Sequence, residues 1–153
     1  MVARMPRMSE EQRTAVGLVG EVTARAWLER RYQGVRWRSG YAAMIADDPD
    51  ASDSWGYDFE APYRNTSLYF EVKSIVDVPR DLTEFELGDT EVRAAQDCAG
   101  GDRYRILLVT SVLEPEARQV FVLPSPFSRG GAGRFRVVGR GLRYRCHLGG
   151  QKP

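Results

Sequence analysis

Asp58, Glu71 and Lys73 are the residues of this chain whose types and spacing could do chemistry. They lie in Gly56-Tyr57-Asp58-Phe59-Glu60 and Leu68-Tyr69-Phe70-Glu71-Val72-Lys73, two stretches separated by Pro62, Arg64, Asn65 and Ser67. Alternating apolar and polar residues predict a strand in each stretch, and the residues between them predict a hairpin or close strand pair. Side chains alternate faces along a strand, so Glu71 and Lys73 point one way while Phe70, Val72 and Ser74 point the other. A carboxylate from each strand, Asp58 and Glu71, can hold a hard divalent cation through oxygen, and magnesium is the natural candidate. A lysine two residues after one ligand can orient or deprotonate an attacking water, or stabilise a pentavalent phosphate, while the metal polarises the phosphoryl oxygen. Acid, acid and lysine in this order suit phosphodiester hydrolysis. The same residues also suit an ordinary solvated hairpin with a cross-strand ion pair, and a Glu-x-Lys triplet alone does not separate the two.

The elements that must position these residues can be read on either side of them. Ser9 followed by Gln12 is a helix-start signature, and apolar residues at 16, 19, 22, 23, 26 and 27 recur at helical spacing to about Tyr32. Glu21 projects from that helix between Leu18 and Leu28, beside Gly17. Gly17 and Gly20 are poor helix formers, which predicts that another backbone or a ligand comes close. Glu21 taken alone equally suits a solvated pair with Arg25 one turn on. Gly34 closes the helix, and Val35 to Ser39 alternates as a first strand with Trp37 facing the core. The stretch between Gly40 and Trp55, with its acidic run from Ala46 to Ser54, reads as a flexible loop, too polar and too broken for an element. Its aspartates lack the glycine and glutamate that a calcium loop of the EF-hand type requires.

After Lys73 the strand is expected to run on to Val78, where Pro79 stops it, and Thr83 to Leu87 forms a short strand. Asp89 or Thr90 would cap a helix from Glu91 to about Cys98, ended by Gly100-Gly101 and carrying Arg93 and Gln96. Tyr104 to Val112 is the most apolar run and reads as a central buried strand, paired with Arg118 to Leu123 across a turn at Glu114-Pro115. Arg134 to Val138 and Leu142 to Cys146 form a hairpin about Gly139-Arg140-Gly141. Arginine alternates with apolar residues there, so one face would present Arg134, Arg136, Arg143 and Arg145. That face suits phosphate contacts, and it equally suits an edge protected against aggregation.

At 153 residues the chain is long enough for one domain with a proper core. Apolar residues make up 42%, charged residues 28%, and the net charge is +1, which excludes a disordered, fibrous or uniformly nucleic-acid-coating protein. The charge is nevertheless segregated, with acids and no bases over 47 to 60 and five arginines and no acids over 134 to 145. Cys98 and Cys146 stand in unrelated contexts, which predicts free thiols rather than a zinc site. The start is basic but carries no apolar run of a signal peptide, and no stretch has the length of a membrane span. A cytoplasmic protein without a membrane is expected, and both ends would suit a module of a longer chain.

Four pieces in order carry a family resemblance: Gly17-Leu18-Val19-Gly20-Glu21, Gly56-Tyr57-Asp58-Phe59, Tyr69-Phe70-Glu71-Val72-Lys73, and Phe85-Glu86-Leu87 before the helix bearing Glu91. By these the chain resembles the PD-(D/E)xK nuclease superfamily. Within it the chain looks like the domain at the C-terminus of the plant protein NO VEIN and in many bacterial defence proteins. Tyr57 stands where the superfamily's motif has proline, a change common among its divergent branches. The resemblance implies an α/β fold, a mixed central sheet flanked by helices as in restriction endonucleases. The core would span 9 to 125, with a basic hairpin over 126 to 148 extending the same domain. It matches Asp58, Glu71 and Lys73 to the core triad and Glu21 to the helix-borne acid that joins it, with the Val72 carbonyl as a further metal ligand. It places Arg93 and Gln96 beside the site, toward nucleic acid. The implied activity is a magnesium-dependent deoxyribonuclease, an endonuclease, with manganese able to substitute, in a restriction or anti-phage defence system. The implied partners are DNA, double- or single-stranded, a larger defence protein or linked domains, and a second copy of the chain. The alternative is a catalytically silent, nuclease-like module that binds nucleic acid or protein within a larger assembly.

Overall fold

The computed structural model describes residues 7–98 and 103–148. The helix stop expected at Gly100-Gly101 and both chain ends, 1–6 and 149–153, lie outside the described residues. The opening helix α1 (Glu10–Glu29) begins as its sequence predicts. The Gln12 N–H donates to Ser9 Oγ at 3.1 Å, and the Ser9 N–H donates to Gln12 Oε1 at 2.8 Å. Two free amides of the first turn are thereby satisfied.

The buried stripe of α1 is Val16, Gly20, Glu21, Ala24 and Leu28, and Val22 and Ala26 are exposed. The expected apolar face is therefore rotated. Gly20 supplies the reason, because a Cβ there would overlap the Ser74 side chain. Only glycine allows this helix to lie so close to the sheet, and the helix turns that side inward.

The central sheet has the order β1 (Arg36–Trp37), β2 (Phe59–Tyr63), β3 (Thr66–Ser74), β5 (Tyr104–Thr110) and β6 (Gln119–Pro124). Strands β3 and β5 run parallel and the other neighbouring pairs are antiparallel. The β2–β3 hairpin turns at Arg64 and Asn65, both at positive φ, the turn geometry that matches strand twist. Pro62 lies within β2, past the two residues that β1 covers, so no ladder donor is lost. In β5 every residue except Arg105 is buried, as expected of a central strand. The third strand ends at Ser74, short of the expected Val78, and Val76 and Val78 are exposed.

One strand departs from the expected single sheet. β4 (Leu82–Leu87) pairs along its whole length with β8 (Gly141–His147), and β7 (Phe135–Val138) completes a separate antiparallel sheet of order β4-β8-β7. Thr83, Phe85 and Leu87 meet Cys146, Tyr144 and Leu142 in register, all buried, and the Phe85 and Tyr144 rings stack at 5.2 Å. This shared apolar face removes β4 from the central sheet.

The central sheet thus lies between two layers. Leu28, Phe59, Phe70, Leu107 and Val109 form a core with α1 and the short helix α2 (Gly40–Ile45), which the sequence did not indicate. Ile106, Leu108, Phe121, Leu142 and Tyr144 form a second core with the small sheet and α3 (Asp89–Asp97). The acidic stretch expected as a flexible loop is held by hydrogen bonds. Arg36 Nε donates to Asp48 at 3.1 Å, the Gly40 N–H to Asp53 at 2.8 Å, and Trp55 Nε1 to the Asp50 carbonyl at 2.8 Å. Among the described residues no helix is long and apolar enough to cross a membrane.

Candidate active site

The chain enters β2 through a turn pinned on two sides. Gly56 has φ 79°, and a Cβ there would collide with the Thr90 carbonyl oxygen, so α3 presses directly on this backbone. Tyr104 Oη, from β5, donates to the Gly56 carbonyl at 2.8 Å. Two residues later the Asp58 N–H donates to the Phe70 carbonyl at 2.8 Å, and Asp58 Oδ2 accepts the Val72 N–H at 2.8 Å. Asp58 is thereby fastened to the strand that carries Glu71 and Lys73.

Glu71 and Lys73 alternate with Phe70 and Val72, which pack toward α1, and so face α3. Lys73 Nζ lies 3.5 Å from Glu71 Oε1 and 2.5 Å from Glu91 Oε1. Glu91 stands in the first turn of α3, where its Oε2 accepts the Gly88 N–H at 2.6 Å, and its side chain is also hydrogen-bonded to Glu71. Gly88, not Asp89 or Thr90, is the residue before the helix. Asp58, Glu71 and Glu91 line one cleft of about 300 Å³, with Tyr57 and Asp53 at its wall.

Burial and like charge dominate the electrostatics. Burial, reinforced by the charge of Glu21, pushes the Asp58 carboxyl well above the usual carboxylate range against the bond from Val72. Burial and the Asp58 charge do the same to Glu71 against the pull of Lys73. Burial works to discharge Lys73, but Glu71 and Glu91 outweigh it and hold its ammonium above the ordinary lysine value. Burial would also raise Glu91, but its bonds to Glu71 and Lys73 bring it below the ordinary glutamate value. Glu71 is thus the member of this acid pair pushed toward its protonated form, and Glu91 is the one held toward its charged form beside Lys73.

Glu21 is buried, as its expected role requires, but it lines a different depression, with Val72 and Ser74 on the α1 side of the sheet. Its Oε1 accepts Trp37 Nε1 at 2.9 Å and Ser39 Oγ at 2.5 Å. Burial raises its pKa despite both bonds, and its charge is felt at Asp58. Among the described residues no group of three or more His, Cys, Asp or Glu side chains is arranged to hold a metal ion. The structure therefore brings Asp58, Glu71 and Lys73 together and seats Glu21 in a neighbouring depression, from which its charge is felt at Asp58. Glu91, on the helix that the resemblance placed beside the site, is the participant that the sequence did not single out as a site residue. Its signal was an acid at the third position of a helix, the place that reaches back to the preceding amide.

The residues expected at a nucleic-acid surface divide. Arg93 is exposed and paired with Asp89 at 3.1 Å, and Gln96 is exposed on the same helix, so neither joins the cleft. Arg134, Arg136, Arg143 and Arg145 line one hollow on the small sheet together with Glu84. Glu84 takes Arg143 at 3.0 Å and Arg145 at 2.8 Å, so part of the expected positive field is neutralised. Arg134 also hydrogen-bonds the Tyr144 hydroxyl.

Compared with known families, residues 24–123 match the model of the C-terminal domain of protein NO VEIN. No curated protein and no solved structure matches the chain. The matched span holds Asp58, Glu71, Lys73 and Glu91 and omits Glu21 and the arginine hairpin. Because it takes in well over half of the chain and all of the acid and lysine cluster at the cleft, the chain belongs to the family of the NO VEIN C-terminal domain.

Proposed function

We propose that this chain is a magnesium-dependent deoxyribonuclease, an endonuclease module of a restriction or anti-phage defence system, with manganese able to substitute. The observation that carries the reading is the meeting of Asp58 and Glu71 at one cleft with Lys73 Nζ 3.5 Å from the Glu71 carboxylate. The charges of Glu21 and Glu91 bear on Asp58, and those of Asp58 and Glu91 bear on Glu71, against the Lys73 ammonium group. Uncompensated charge is costly in a buried site, and the oxygens of Asp58, Glu71 and the Val72 carbonyl are of the type a hard dication prefers. When bound, magnesium would polarise a phosphoryl oxygen and acidify a water. Lys73 keeps its proton, so its part is to orient the attacking water and offset negative charge on the phosphate rather than to accept a proton. Glu91 holds Lys73 in place, and Glu21 tunes Asp58 through charge. A cytoplasmic setting, DNA of either strandedness as substrate, and assembly with a defence protein, linked domains or a second copy belong to the same reading.

The direct test is cleavage of plasmid and linear DNA with magnesium, which Lys73→Ala should abolish; cleavage unchanged in that variant would overturn the assignment. A silent nucleic-acid- or protein-binding module is the second reading. It is favoured by the lack, among the described residues, of any three-acid group arranged for a metal. Calorimetric titration with magnesium or manganese separates the two. Binding that Glu71→Ala removes supports hydrolysis, and no binding supports the silent module.

A further inference from the structure

The tip of the β2–β3 hairpin carries a cationic hollow apart from the cleft. Arg31, Tyr32 and Gln33, just past the end of α1, and Tyr63, Arg64 and Asn65, at the hairpin tip, line a space of about 590 Å³, and none of its lining side chains is acidic. Arg64 and Asn65 stand at φ 47° and 64°. A two-residue turn of this kind favours asparagine and glycine, so an arginine at 64 is a poor conformational choice for the turn itself. Its guanidinium lies 5.1 Å from the centre of the Tyr63 ring, and among the described residues it makes no ion pair or hydrogen bond that would account for its place. Tyr63 is 37% exposed. Tyr32 meets the Tyr63 ring edge-on at 6.4 Å and packs on Phe70 at 5.7 Å, so the rings are anchored to the core on one side and open to solvent on the other. Arg31 is anchored as well. Its Nη1 donates to the Trp27 carbonyl at 3.1 Å and its guanidinium lies 3.7 Å from the centre of the Trp27 ring, which leaves its other N–H groups to a ligand.

We propose that this hollow binds an unpaired stretch of nucleic acid, with Arg64 and Arg31 on backbone phosphates and a base stacked at Tyr63. Open aromatic rings beside cations, with no acid among them, are what single-strand binding requires, because every base has a π-face and every nucleotide a phosphate. The amides of Gln33 and Asn65 add donors and acceptors for base edges. Tyr63 shares a face of β2 with Phe59 and Ala61, which lie in the core under α1, whereas Asp58 lies on the other face about 17 Å back along the strand. The hollow is thus a second contact, set apart from the cleft. The inference rests on the nucleic-acid side of the proposed function and not on hydrolysis, and it makes the substrate one that offers an unpaired strand beside the bond to be cut.

The test uses the intact chain in EDTA, so that cleavage plays no part, with a fluorescein-labelled single strand and the matching duplex as probes. Arg64→Asn, which suits the turn better, should melt at or above the temperature of the parent. It should nevertheless bind the single strand several-fold more weakly, with the slope of log affinity against log salt shallower by about 0.7. Tyr63→Ile, which keeps a strand-forming residue, should lose roughly tenfold in affinity for the single strand and change duplex binding little, because only an unstacked base can meet the ring. Parental affinity for the single strand in either folded variant, or an equal loss on the duplex in Tyr63→Ile, would overturn the proposal in favour of an ordinary hairpin tip. A single strand that the parent does not bind would overturn it too. A poly-glutamate peptide bound more tightly than the single strand, with the same dependence on Arg64 and Tyr63, would assign the hollow to an acidic protein partner instead. If the parent binds the strand through these residues yet does not cleave with magnesium, hydrolysis fails and this inference stands. If it cleaves while binding ignores them, the reverse holds.

Discussion

Proton occupancy is where the cleft residues can be examined one at a time. Asp58 and Glu71 have folded pKa values raised above their ordinary 3.8 and 4.5 by burial and by neighbouring acids. Each therefore holds a proton in the folded protein at pH values where the unfolded chain has released it. Their contribution to stability is full below the ordinary values and is lost as pH rises through the raised ones. Glu91 runs the other way, with a contribution present above its ordinary value and lost as pH falls through its lowered one. Above the ordinary carboxylate values the raised pair loses its contribution as pH climbs through the raised ones, so the metal-free protein should melt higher at mildly acid than at neutral pH in calorimetry. Asp58→Asn should raise the melting temperature at neutral pH and narrow that difference, because it removes one of two confronted acids. Magnesium should raise the neutral-pH melting temperature of the parent and do little for Asp58→Asn. A parent that melts lower at about pH 5 than at pH 7 would show that these carboxyls are ionised throughout.

At the scale of elements, α1 is placed by a glycine rather than by its apolar residues. Its helical pattern points Val22 toward the core, yet close approach at Gly20 against Ser74 turns that side chain to solvent. The same contact seats Glu21 over Val72 and beside Trp37 and Ser39. Gly20→Ala should gain helix propensity of about 1 kcal/mol in isolation but lose about 1–3 kcal/mol in the protein through overpacking. Ser74→Gly in the same chain should recover most of that loss, a coupling that urea denaturation of the two single variants and the double variant would read out. Independent, additive effects would mean that the helix does not dock through this contact.

Across the whole molecule, two charged surfaces serve different layers. Acids gather at the central sheet beside α3, and arginines gather on the small sheet, where Arg136 lies directly opposite Arg143 and Glu84 directly opposite Arg145. Glu84→Gln should release Arg143 and Arg145 and raise oligonucleotide affinity several-fold at low salt, with a steeper salt dependence. It should also cost up to about 1 kcal/mol of stability, because opposed arginines lose their counter-charge. Titration by fluorescence anisotropy at two salt concentrations, alongside thermal melting, measures both. Unchanged affinity with reduced stability would assign these arginines to guarding β7, the edge strand of the small sheet.

Local periodicity and turn chemistry determined much of the fold from the sequence alone. The reciprocal cap of Ser9 and Gln12, the strand pair turned at Arg64 and Asn65, the buried strand β5 and the arginine hairpin each follow from residues within a few positions of one another. The period of two in a strand is what put Glu71 and Lys73 on one face. Contacts between distant segments were decided only in three dimensions, because no local pattern records which face another element will cover. They drew β4 out of the central sheet to β8, turned α1 about Gly20 and gave Glu21 to Trp37 and Ser39. They also brought Glu91 from α3 to Lys73. The triad was legible as spacing, but its fourth member and its charge balance came from the packing of a helix against a strand.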